Sequence, residues 1–130
     1  MSACVLDTSA IIAYLNAEPG HDAVGDRLAE GAVVSAFNAQ ETVSKLVQSG
    51  VAPADARRIF LALQVDVHRV DFELAFEAGA MFPLTRSKGL GHGDRACLAL
   101  ASALSLPAVT GDRAWLDVAD ALGVRVESFR

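Results

Sequence analysis

Cysteine, histidine, lysine and proline are all scarce in this sequence. Its two cysteines, Cys4 and Cys97, both lie in apolar runs and read as buried free thiols. That excludes a disulfide framework and sets the expectation of a reducing, cytoplasmic setting. The three histidines, His21, His68 and His92, are isolated from one another, with no His-x-x-x-His and no cysteine pair, so a zinc site built on nitrogen and sulfur is excluded. No apolar run approaches the ~20 residues of a membrane span. The opening Met1-Ser2 reaches Asp7 without a basic stretch or a long apolar segment, so the expectation is a protein that neither carries a visible export signal nor spans a membrane. A phosphate-cradling P-loop is missing, since no Gly-x-x-x-x-Gly-Lys-[Ser/Thr] occurs. There is no low-complexity tract and no Pro/Ser linker.

What is present is apolar residue and acid. With 130 residues, 52% of them hydrophobic and 21% charged, the chain can form one domain spanning 1–130. A domain of that size buries roughly two-thirds of the surface its unfolded chain exposes, so disorder and a stapled mini-protein are both excluded. Sixteen Asp and Glu against 11 Lys and Arg leave a net charge of −5. That balance argues against simple electrostatic capture of nucleic acid by the whole surface, but does not forbid a local basic patch. Most of the acids read as solvated helix faces.

Apolar runs of four to six residues alternate with longer stretches of helical period, the pattern of a parallel sheet with crossover helices. The sequence predicts strands near 3–7, 32–35, 66–70, 107–110 and 124–128. It predicts helices near 9–16, 21–30, 38–49, 53–64, 71–84, 94–105 and 114–122. Pro53 near a helix start, Pro107 opening a strand and Gly123 past a helix end punctuate that reading. A short echo, Gly93-Asp94-Arg95-Ala96 and Gly111-Asp112-Arg113-Ala114, opens two of the helices. Gly-Asp there is ordinary helix N-terminus chemistry, with the carboxylate accepting backbone N–H groups.

In a parallel sheet each crossover helix starts at the carboxyl edge, which is where ligands of such folds bind. Four acids share that edge: Asp7 at the end of strand one, Glu41 in the first turn of the helix after strand two, Asp94 opening the helix before strand four, and Asp112 directly after strand four. Together they repel one another. Keeping one carboxyl neutral at pH 7 takes roughly 3 pKa units, or about 4 kcal/mol, whereas a divalent ion is attracted by all four. Hard oxygen donors select Mg²⁺ or Mn²⁺. Such an ion suits phosphodiester hydrolysis, because it lowers the pKa of bound water and neutralises phosphoryl oxygen.

The opening Val5-Leu6-Asp7-Thr8-Ser9-Ala10, the mid-chain Asn38-x-x-Glu41, the helix start Gly93-Asp94-Arg95-Ala96-Cys97-Leu98-Ala99, and Val109-Thr110-Gly111-Asp112-Arg113-Ala114-Trp115 resemble the PIN-domain ribonucleases. Among these the chain is most similar to the VapC-type toxins of bacterial toxin–antitoxin modules. The likeness covers the whole chain, with four motifs in order. The resemblance implies a three-layer α/β/α fold around a central five-stranded parallel sheet, and Mg²⁺- or Mn²⁺-dependent endoribonuclease activity. It further implies a homodimer and inhibition by a cognate antitoxin protein. Carried over residue by residue, Asp7, Glu41, Asp94 and Asp112 become the catalytic acids and metal ligands. Thr8 or Ser9 supplies a hydroxyl beside Asp7, and Thr110 orients Asp112. Helix capping is an equal reading for these hydroxyls, compatible with the first. His92 replaces the commoner small or apolar residue before the Gly-Asp step, and stays outside the catalytic set.

An RNA substrate needs cations, and only Lys45 and Lys88 are lysines. The expected contacts are Arg86 and Lys88 in the Gly-rich loop before Asp94, and Arg95 and Arg113 beside two of the acids. Arg57-Arg58 reads as a solvated helix face. Ile11, Ile12, Leu15, Val43, Leu46 and Val47 read as core or dimer interface. A receiver-like phospho-acceptor domain competes poorly, since it needs an acid pair after strand one and a lysine at its last strand. A haloacid-dehalogenase-like phosphatase would want a second Asp where Ser9 stands. A catalytically silent RNA-binding or interaction module is the remaining alternative, disfavoured because all four acids are present.

Overall fold

The computed structural model of the chain describes residues 2–130. The strands are β1 (Cys4–Leu6), β2 (Ala32–Ser35), β3 (Asp66–His68), β4 (Ala108–Thr110) and β5 (Val126–Ser128). They form one all-parallel sheet in the order β3-β2-β1-β4-β5. β1 lies at the centre, with Val5 in register with Val33 on one side and Ala108 on the other. The chain thus winds outward from β1 through β2 to β3, then returns to add β4 and β5 on the opposite side. The switch in direction falls between β1 and β4.

Eight α-helices surround the sheet among the described residues: α1 (Thr8–Leu15), α2 (His21–Glu30), α3 (Ala36–Gln48), α4 (Pro53–Ala62), α5 (Phe72–Ala80), α6 (Phe82–Thr85), α7 (His92–Leu104) and α8 (Ala119–Leu122). None is long and apolar enough to cross a membrane. The inner strands are buried at every position, and apolar at all but Ser35 and Thr110, the last residues of β2 and β4, because both sheet faces are covered, and successive residues serve opposite cores. Cys4, Leu6 and Val34 pack with Ile11, Val24 and Phe60 on one face. Val5 and Val33 pack with Leu98, Leu100, Leu74 and Trp115 on the other. Three layers result, with α7 and α5 on the second face. Cys4 and Cys97 are buried free thiols, and burial pushes both thiols up.

Two expected helices are broken. The stretch 71–84 divides into α5 and α6, because Pro83 has no N–H to continue the ladder and sits instead in the first turn of a new helix. The stretch 114–122 begins as a 3-10 turn over Arg113–Asp117, since the Asp112 carboxylate accepts from Ala114 N at 3.0 Å and tightens the entry. α3 starts earlier than expected. Ser35 caps it, its Oγ accepting from Asn38 N at 3.0 Å, so Glu41 lies in the second turn rather than the first. α7 also starts two residues early, which places Asp94 inside its first turn.

Candidate active site

All four acids line one open cavity of about 380 Å³ at the carboxyl edge of the sheet. Each arrives there on a different connection: Asp7 where β1 passes into α1, Glu41 along α3, Asp94 at the start of α7, and Asp112 after β4. The cavity opens at the β1–β4 switch, where the chain leaving these two paired strands turns toward opposite sides of the sheet.

Asp7 is almost wholly buried, and its Oδ2 is held by two hydroxyls. Ser9 Oγ donates to it at 2.7 Å and Thr110 Oγ1 at 2.9 Å. Ser9 Oγ also accepts from Gly111 N at 3.0 Å, tying the start of α1 to the β4 exit. Burial pushes the Asp7 carboxyl up to about 6. The Ser9 hydroxyl opposes that rise, and the negative charge of Asp94 adds to it. Thr110 is thus a partner of Asp7, where the sequence suggested Asp112. It meets Asp112 only through the main chain, accepting from Asp112 N at 3.1 Å. Of the two hydroxyls expected beside Asp7, Ser9 is the one found there.

Thr8 reaches Glu41 instead, donating to Oε1 at 2.7 Å. A residue outside the expected site completes that contact. Asn38 is fully buried, and its Nδ2 lies 3.0 Å from Glu41 Oε1, 3.0 Å from Gly93 O and 3.2 Å from Thr8 Oγ1. Its Oδ1 accepts from Ser35 Oγ at 2.6 Å. One amide therefore joins the end of β2, α1, the Glu41 carboxylate and the first turn of α7. The signal was available in the sequence, since i,i+3 spacing places Asn38 and Glu41 on one helix face.

Asp94 Oδ2 accepts from Gly91 N at 2.8 Å, the helix-start role that Gly-Asp suggests. Burial pushes its carboxyl up, the Gly91 N–H opposes this, and the charges of Glu41 and Asp112 raise it further. Asp94 thus feels Glu41 and Asp112, and its own charge acts on Asp7. Asp112 is exposed.

The expected cations are placed differently. Arg95 is buried, donating to Leu90 O at 2.9 Å and lying over the Phe82 ring. This corrects its reading as an RNA contact: one residue further along a helix turns a side chain about 100°, from the cleft into the interior. Its Nη2 lies 3.2 Å from His92 Nδ1. Arg86 is exposed beside Phe82, Lys88 pairs with Asp117 at 3.2 Å, and Arg113 donates to the Arg130 main-chain oxygen. None of the four lines the acidic cavity, whose basic residues are Lys45 and Arg130.

The donor set has the chemistry of a hard-cation site, with carboxylate and hydroxyl oxygens and no thiol or imidazole lining the cavity. Among the described residues, no three acidic, histidine or cysteine side chains stand close enough together to hold one ion as they are. The fit is therefore one of donor type and mutual repulsion rather than of a closed coordination shell. All four carboxylates are tethered: Asp7 and Glu41 by hydroxyl and amide groups, Asp94 and Asp112 each by one main-chain N–H, which leaves one oxygen of each of the latter two without such a bond.

The sequence matches a family model described as PIN domain over residues 4–121. No curated protein matches it by sequence. Among solved structures it is similar to a DNA-bound VapBC from Salmonella typhimurium, at 19% identity over 100% of both chains with a TM-score of 0.76. It is similar to VapBC-1 from nontypeable Haemophilus influenzae at 18% identity over 98% of each chain, TM-score 0.74. It also resembles VapC20 of Mycobacterium tuberculosis, a sarcin–ricin loop cleaving toxin, at 20% identity over 82% of this chain and 87% of that one, TM-score 0.67. At these identities the similarity is one of fold.

Proposed function

The chain belongs to the PIN-domain family, and from that premise we propose that it is a metal-dependent endoribonuclease, the toxin of a toxin–antitoxin pair. The observation that carries this reading is the meeting of Asp7, Glu41, Asp94 and Asp112 in one cavity at the β1–β4 switch, with Asp7 and Asp94 both raised by burial and by neighbouring acids. Four like charges at one edge are a cost to the fold unless they are used. Cation binding uses them.

In this reading Asp7, Glu41, Asp94 and Asp112 would hold Mg²⁺ or Mn²⁺, which would acidify a water and neutralise a phosphodiester oxygen. The rest of the work belongs to the chain. Ser9 and Thr110 fix Asp7 Oδ2, and Thr8 and Asn38 fix Glu41 Oε1. Glu41 Oε2 receives neither of those bonds. Hydrolysis forms a bond from water oxygen to phosphorus and breaks one phosphorus–oxygen ester bond, with the water proton passing to the leaving oxygen.

The partner in this reading is a cognate antitoxin, as in the VapBC complexes of similar fold, and we take the chain to be a homodimer. RNA as substrate is supported by the family and by the RNA-loop cleavage named for VapC20. The test is cleavage of total bacterial RNA by purified protein with Mg²⁺ or Mn²⁺. Cleavage is expected to stop in excess chelator and in Asp94→Asn. Undiminished cleavage by metal-free protein in chelator would overturn the reading.

A further inference from the structure

Only two of the 11 basic residues line the acidic cavity, and the sheet order sets them on opposite sides of it. Lys45 lies one helical turn beyond Glu41 on α3, the helix that follows β2. Arg130 follows β5 and lies against the β4 exit. Asp7, at the tip of central β1, stands between them, because β2 and β4 flank β1.

The two cations are held differently. Lys45 is exposed and makes no ion pair among the described residues. Arg130 occupies space that a side chain at position 111 would fill: a Cβ there would lie 2.6 Å from Nη2. Its guanidinium covers the Phe129 ring at 4.9 Å, and its main-chain oxygen is held by Arg113 Nη1 at 3.2 Å and Ser128 Oγ at 3.0 Å. Glu18, another cavity residue, pairs with it at 3.6 Å. The absent side chain of Gly111 therefore seats a cation beside Asp112.

We propose that Lys45 and Arg130 bind the RNA phosphates on either side of the scissile one, so that the strand crosses the acidic cavity from the α3 wall to the β5 wall. This rests on the ribonuclease reading and adds to it the direction of the strand and the residues that hold it. A polyanion cannot approach four carboxylates on a protein of net charge −5 without local compensation. Cations flanking the acids supply that compensation without occupying the site itself. Arg presents a planar fork to phosphate and Lys a point charge. Such contacts position the strand and carry no base information. Glu18 then competes with phosphate for Arg130.

The experiment measures binding of a pooled random-sequence single-stranded RNA 20-mer, with Ca²⁺ replacing Mg²⁺ to prevent cleavage, across a salt series. Lys45→Gln and Arg130→Gln are each expected to weaken binding about tenfold and to reduce the log–log salt slope by about 0.7. Lys45→Arg and Arg130→Lys are expected to restore most of both. Glu18→Gln is expected to tighten binding, since it frees Arg130. Mn²⁺ affinity, followed by calorimetry, is expected to be equal or tighter in the Gln variants, because a positive neighbour has been removed. A double Gln variant with unchanged affinity and slope overturns the proposal. So does RNA loss matched by an equal loss of Mn²⁺ affinity. Wild-type protein that binds Mn²⁺ but not the RNA pool overturns the strand path, whereas the ribonuclease reading falls with it only if the metal-loaded protein also leaves total RNA uncut.

Discussion

The Cα of Gly93 abuts the carboxylate of Glu41 so closely that any side chain at 93 would collide with both carboxylate oxygens. The requirement is for space, since Gly93 sits in the first turn of α7 and is not among the residues of positive φ. The carboxylate has nowhere easy to go, because Thr8 and Asn38 hold its Oε1. Gly93→Ala is therefore expected to displace Glu41 while leaving the helix intact or slightly favoured, as alanine is the better helix former by up to about 1 kcal/mol. The expected outcome is a fall of about tenfold or more in Mn²⁺ affinity, with a melting temperature several degrees below wild type, since the Thr8 and Asn38 bonds to Glu41 are lost. Unchanged metal affinity would show that Glu41 is no ligand.

Asn38 tests the same region from the other side. Its amide has two N–H groups for three acceptors, so the bonds to Glu41, Gly93 O and Thr8 are shared. Asn38→Asp keeps the size, turns the donor into an acceptor and adds a negative charge beside Glu41. Each buried group left unpaired costs about 1–3 kcal/mol. The variant is expected to unfold at a distinctly lower urea concentration with unchanged m-value. A midpoint equal to wild type would mean that water replaces the amide without loss.

The four acids were readable from the sequence because a parallel sheet sends every strand end to one edge, whatever the details of packing. Asp7, Glu41, Asp94 and Asp112 needed only correct strands and a consistent direction. The cations were not readable in that way. Arg95 follows Asp94 directly, yet helical rotation carries it under Phe82. Arg130 reaches the cavity only because β5 pairs with β4, a long-range fact. Lys45 was within reach of a helix-face argument from Glu41, since i,i+4 residues share a face. Pro83, breaking α5 from α6, was a local signal outweighed by the apolar periodicity around it.

The metal-free protein is expected to be more stable at mildly acidic pH than at neutrality. Asp7 has its folded pKa raised from 3.8 to about 6. Between those values the folded state holds more protons than the unfolded one, so stability falls as pH rises through the window. The cost is fully present above pH 6 and amounts to about 3 kcal/mol. Asp94 shifts in the same direction. Melting temperatures in chelator from pH 4.5 to 7.5 should decline, and Asp7→Asn should flatten the decline and melt higher than wild type at pH 7.5. A wild-type melting temperature that climbs over this range, with the same slope in Asp7→Asn, would place the burden on other groups.

Metal should reverse that penalty. A ligand that binds only the folded state stabilises it by RT ln(1 + [L]/Kd), about 2.7 kcal/mol at one hundred times Kd. Mn²⁺ is therefore expected to raise the wild-type melting temperature at pH 7.5 by several degrees, reversibly on chelation, and by less at pH 4.5, where protons compete for Asp7. Asp94→Asn separates two roles of that residue. An asparagine oxygen still accepts from Gly91 N, so the start of α7 should persist. The repulsion that Asp94 shares with Glu41 and Asp112 disappears. The variant should thus melt no lower than wild type in chelator and respond little to Mn²⁺. If it melts several degrees lower in chelator yet gains as much from Mn²⁺ as wild type, Asp94 serves the helix alone and the ion is held elsewhere.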